Sequence, residues 1–131
     1  MHEPARWVAR LGRWQRIAKE AAQQSGRTAV PDIAAPRELS AWPREAPEAG
    51  LLICLWEEEP EGLDRRLPAG PCPRVTVVVG PEGGLTAEEV RGLTDRGAVV
   101  AGLGPRLLRT ETAGAVAVAL LQARYGDLGT A

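Results

Sequence analysis

The chain is 131 residues long, 44% hydrophobic and 25% charged, with a formal net charge of −1. This is the make-up of one globular domain, 1–131, rather than of a disordered chain. The longest uncharged apolar run, Ala113 to Leu121, is less than half of the roughly twenty residues a membrane span needs.

Two cysteines and one histidine are too few for a disulfide scaffold or a four-cysteine zinc site, so no metal is expected. Cys54 lies in the run Leu51-Leu52-Ile53-Cys54-Leu55 and reads as a small core residue. The opening Met1-His2-Glu3-Pro4-Ala5-Arg6 is charged and leads into no apolar h-region. That argues against secretion, and a cytoplasmic protein is expected.

Charge is uneven. Residues 1–27 carry Arg6, Arg10, Arg13, Arg16, Lys19 and Arg27 against Glu3 and Glu20, a balance of +4, and the remainder carries −5. Such a segment can meet phosphates or simply present a solvated helix face. Trp14, Ile17, Ala18, Ala21 and Ala22 recur at helical spacing, and Gly26 supplies a stop. Residues 31–73 hold eight of the eleven prolines. They read as loop-rich chain around one strand, Leu51 to Trp56, with a short helix over Glu61 to Leu67.

Val75-Thr76-Val77-Val78-Val79 is a β-branched run that reads as a strand buried on both faces of a parallel sheet. Gly80-Pro81-Glu82-Gly83-Gly84 breaks it. Thr86 and Glu89 have the spacing of a capping box for a helix running to about Arg96, closed by Gly97. Ala98 to Ala101 reads as the next strand, and Gly102-Leu103-Gly104-Pro105-Arg106 as a second glycine-rich loop. The last helix runs from near Thr110 to about Tyr125. From Ala113 to Leu121 it is apolar on every side, which predicts burial. The alternation of strands and helices predicts an α/β domain with a parallel sheet.

Ligands of parallel sheets bind beyond the carboxyl ends of the strands, where both glycine loops lie. Neither loop has the spacing of a dinucleotide fingerprint or a P-loop. Glu111, taken alone, is a first-turn carboxylate favoured by the helix dipole, and Arg109 could pair with it.

Together, Val79-Gly80-Pro81-Glu82-Gly83-Gly84 and Leu103-Gly104-Pro105-Arg106-Leu107-Leu108-Arg109-Thr110-Glu111-Thr112-Ala113 resemble the signature of the ribosomal RNA small subunit methyltransferase E family. That family is a branch of the knotted SPOUT methyltransferases. Trp14-Gln15-Arg16-Ile17, Glu20 to Arg27 with Val30-Pro31, and Tyr125-Gly126-Asp127-Leu128-Gly129 also resemble it.

The resemblance implies a SPOUT-type α/β domain with a C-terminal deep trefoil knot. The family's N-terminal β-barrel domain and first strand–helix would be lacking. It implies S-adenosylmethionine-dependent methylation of uridine N3 in 16S ribosomal RNA by a homodimer. The last helix would pass through the knot and pack at the dimer interface.

Carried onto this sequence, Val79, Gly80, Glu82, Gly83 and Gly84 would form one wall of the cofactor site. Leu103, Gly104, Leu107, Leu108 and Thr110 would form the other. Glu111 is the candidate general base, with Glu82 second, and Arg109 the candidate partner of uracil oxygens or a phosphate. Arg106 would contact RNA or the partner subunit. The alternatives are a catalytically inactive knotted module that binds RNA or protein, and an inactive fragment. Intact glycine loops and Arg109-Thr110-Glu111 favour the enzyme.

Overall fold

In a computed structural model, residues 4–42, 50–105 and 108–128 are described. The chain divides into two compact units, Met1–Pro43 and Arg44–Ala131. The first is built on one helix, α1, Pro4–Gln24. It begins ten residues before the periodic face read from Trp14. Proline suits the first helical position, where its missing N–H is no loss. Trp7 precedes Trp14 by two turns, and their ring centroids are 6.5 Å apart. The Arg10 guanidinium lies 5.2 Å from the Trp7 ring centroid, a cation–π contact.

Gly26 stops α1 as expected. The Gly26 amide donates to Gln23 O and the Arg27 amide to Ala22 O, the bonding of a Schellman motif. A single 3₁₀ turn, Leu39–Ala41, follows.

The second unit holds a three-stranded sheet, β1 Leu51–Leu55, β2 Val75–Val78 and β3 Val99–Ala101, in the order β2-β1-β3. Both pairings are parallel, with Ile53 opposite Val77 on one side and Val99 on the other. The parallel α/β reading therefore holds. One detail of it does not. The β-branched run Val75 to Val78 is an edge strand and only half-buried, whereas β1 is central and buried from Leu52 to Leu55. Branched side chains favour any pleated strand, central or edge, so composition does not rank them.

Among the described residues three helices complete the unit: α2 Leu63–Arg66, α3 Ala87–Asp95 and α4 Thr110–Tyr125. The capping box of α3 is present. The Glu89 amide donates to Thr86 Oγ1 at 3.1 Å and the Thr86 amide to Glu89 Oε1 at 2.9 Å. Its far end closes at Gly97 with amide bonds from Gly97 to Thr94 O and from Ala98 to Leu93 O.

The main core joins Ile53, Leu55 and Ala101 of the sheet to Leu63 of α2 and to Ala117 and Leu121 of α4. Burying a side chain such as Ile53, fully enclosed here, contributes about 1.5–3 kcal/mol. The far end of α4 is tied down by the Tyr125 hydroxyl, which donates to Pro68 O at 2.6 Å.

The expected all-round burial of α4 is not met within the chain. Only Ala117 and Leu121 are buried, while Val118 is 53% and Leu120 44% exposed. Ala117 and Leu121 join the sheet core, and the exposed Val118 and Leu120 flank that buried stripe on either side. Among the described residues no helix is long and apolar enough to cross a membrane.

Candidate functional site

The three strands run parallel, so their carboxyl ends share one edge of the sheet. Each releases a loop there. The loop after β2 turns sharply, with the Gly84 amide donating to Pro81 O at 2.8 Å. A Cβ on Gly80 would stand 2.9 Å from Leu85 Cγ and 3.1 Å from Leu85 N, so the loop folds back tightly only on a bare glycine.

The loop after β3 is anchored at Gly102. The Gly102 amide donates to Glu61 O at 2.9 Å and its carbonyl accepts from the Leu63 amide at 2.8 Å. A Cβ there would collide with the Glu59 carbonyl. Gly84 at φ +79° and Gly104 at φ +100° both adopt left-handed backbone, which side chains disfavour by about 1–2 kcal/mol.

The two loops and the end of β1 enclose a cleft of about 100 Å³. From the sequence-predicted set, Val79, Gly80, Gly84, Leu103, Gly104, Leu108 and Thr110 line it together. Glu82 and Gly83 are exposed on the first loop and do not line it. Leu107 and Arg106 lie outside the described residues.

Glu111 is exposed in the first turn of α4, and Arg109 is the exposed N-cap residue of that helix, making no side-chain cap bond. They flank Thr110 without lining the cleft themselves. Among the described residues no ion pair joins Arg109 to Glu111, so simple mutual pairing does not account for them.

Several lining residues escaped the sequence reading. Trp56 and Glu57 follow β1, and Ala113 comes from the first turns of α4. The Trp56 indole N–H donates to Leu85 O at 3.1 Å, which ties the end of β1 to the first glycine loop. The signal was present. A strand read next to two parallel strands should also send its carboxyl end toward the ligand, but only the strand order shows that β1 lies between the other two.

Residues 3–122 match the RNA methyltransferase domain family. The chain belongs to that family. Its curated relatives include proteins named ribosomal RNA small subunit methyltransferase E. Those of Mycobacterium bovis and Bacillus subtilis are both 38% identical, over 82% and 77% of this chain. The chain spans 42% of the length of each.

Solved methyltransferase structures are similar over most of the chain. A methyltransferase of Legionella pneumophila, solved with the cofactor SAM bound, superposes with a TM-score of 0.87 at 36% identity. It matches 98% of this chain and 52% of its own. The ribosomal RNA small subunit methyltransferase E of Neisseria gonorrhoeae, bound to S-adenosylmethionine, gives 0.79 at 35% identity, over 94% of this chain and 51% of its own. The family resemblance read from the two glycine loops is therefore sound.

Proposed function

We propose that the chain carries the cofactor-binding and catalytic part of an S-adenosylmethionine-dependent methyltransferase acting on uridine N3 in 16S ribosomal RNA. The observation that carries this reading is the convergence of both glycine loops on one cleft at the carboxyl edge of the parallel sheet. The likeness to two S-adenosylmethionine-bound structures supports it.

The residues present suit that cofactor. Gly80, Gly84 and Gly104 leave backbone exposed for close approach, and Val79, Leu103 and Leu108 offer apolar walls to a planar base. In the proposed arrangement Leu107 completes the second wall, and Thr110 offers a hydroxyl. When bound, the cofactor supplies a methyl group already activated by its sulfonium.

The chain's own residues then have two tasks. They hold the uracil ring in line, and they take the N3 proton as the new bond forms. Glu111 accepts that proton, with Glu82 on the exposed first loop as the second candidate. Arg109 holds a uracil oxygen or a neighbouring phosphate, and Arg106 meets RNA or a second subunit. Gly83 lies beside Glu82 on the exposed part of that loop.

The same proposal includes a deep trefoil knot, with α4 threaded through the loop before it. It also includes a homodimer packed on the exposed side of α4, and the cytoplasm as the setting.

The test is incubation of the protein with small-subunit ribosomal RNA and methyl-labelled S-adenosylmethionine, followed by digestion to nucleosides. The expected product is labelled 3-methyluridine. Label in another nucleoside, or none, contradicts the proposal. In single turnover with both ligands saturating, Glu111→Gln should slow transfer about 10²–10⁴-fold and leave cofactor affinity within a few-fold. A wild-type rate would remove Glu111 as the base.

A further inference from the structure

We propose that Glu57 is the anionic subsite that receives the positive charge of the methyl donor and so sets the cleft's preference for a cationic cofactor. The inference rests on the reading of the cleft as an S-adenosylmethionine site.

Glu57 stands two residues past the end of β1 and is the one charged side chain among the described residues that line the cleft. The rest of the lining is glycine backbone, proline, apolar side chains, Trp56 and the Thr110 hydroxyl. The Glu57 Oε1 atom lies 3.9 Å from the position a Cβ on Gly84 would take. Its carboxylate therefore reaches across from the end of β1 to the first glycine loop. Among the described residues no cation pairs with it. The neighbouring Glu59 is engaged, accepting a bond from the Glu61 amide at 3.2 Å, and does not line the cleft. Of the three carboxylates Glu57, Glu58 and Glu59, only Glu57 lines the cleft.

A cation entering a cleft whose other described lining residues are uncharged loses hydration, and a nearby opposite charge offsets the loss. The methyl donor carries two such cations, its sulfonium and its α-ammonium. The transfer product keeps the ammonium but holds a neutral thioether in place of the sulfonium. A carboxylate facing the sulfonium favours donor over product. One facing the ammonium favours both over a nucleoside that lacks the amino acid tail.

The experiment is calorimetric titration of the wild-type protein and of Glu57→Gln with three probes. They are S-adenosylmethionine, S-adenosylhomocysteine and 5′-methylthioadenosine, which bears neither cation. Glu57→Gln keeps the shape of an exposed side chain and removes the charge. Its affinity for S-adenosylmethionine should fall by about fivefold or more, as loss of a close charge pair requires. Its affinity for 5′-methylthioadenosine should change less than about twofold.

S-adenosylhomocysteine separates the two cations. Unchanged affinity places Glu57 on the sulfonium, and parallel weakening places it on the ammonium. The inference is overturned if the variant binds all three probes like the wild type, or weakens all three equally. In either of those cases the wild-type protein still binds, and the cofactor reading stands. A wild-type protein that binds none of the three overturns that reading and the inference with it.

Discussion

A side chain at position 84 would have to take up φ +79°, with the cleft and the Glu57 carboxylate in front of it. Gly84→Val should therefore lower S-adenosylmethionine affinity at least about tenfold, roughly 1.4 kcal/mol, in titrations of the folded variant. Unchanged affinity would take this loop out of the site. The two cysteines give a contrast at the same scale. Cys54 is wholly enclosed in β1 and burial pushes its thiol up from the ordinary value, whereas Cys72 is half-buried. Iodoacetamide should modify Cys72 in the folded protein and Cys54 only after unfolding, read by intact mass. A raised folded value also fixes the pH direction. The stability tied to the protonated Cys54 is complete below the unfolded thiol's value and is lost as pH rises through the folded one. Cys54→Ala should flatten that alkaline decline. The glycine pairs were legible in the sequence because positive φ and close approach demand that residue type. Trp56 and Glu57 were not, since their place at the end of the first strand was readable but the strand order that puts β1 between β2 and β3 was not.

Among the elements, α3 was the most legible, because both of its ends carry local signals: a Thr86–Glu89 capping box and a Gly97 stop. Thr86→Ala removes one half of that box and should cost about 1 kcal/mol, measured by denaturant unfolding. A loss under a few tenths would mean that tertiary contacts alone hold the helix start. The ranking of strands was less legible. Val75 to Val78 looks more central than Leu51 to Leu55 by composition, yet pairing places it at the edge. The start of α1 was missed for a similar reason, since Arg6 to Arg13 masks the apolar periodicity that begins at Trp7. For α4, uniform apolarity announced burial without saying by what. The chain supplies cover for the stripe of Ala113, Ala117 and Leu121 and leaves Val118 and Leu120 exposed.

At the scale of the molecule, the exposed face of α4 bordered by Val118 and Leu120 is the physical ground for the proposed dimer. Small residues at Ala115 and Ala119 beside Val118 let a second helix come close. Val118→Lys should shift the protein from dimer to monomer in light scattering at micromolar concentration, and a wild-type protein already monomeric there would contradict the proposal. The central claim concerns the cleft itself, and glycine amide resonances report on it directly. In a ¹H–¹⁵N NMR titration with S-adenosylmethionine, Gly80, Gly84, Gly102 and Gly104 should shift saturably. Gly26, Gly70 and Gly92, which do not line the cleft, should stay in place. No shift at the four cleft glycines, or shifts confined to the groove between β2 and α4 lined by Val75, Val118 and Gly126, would contradict the account.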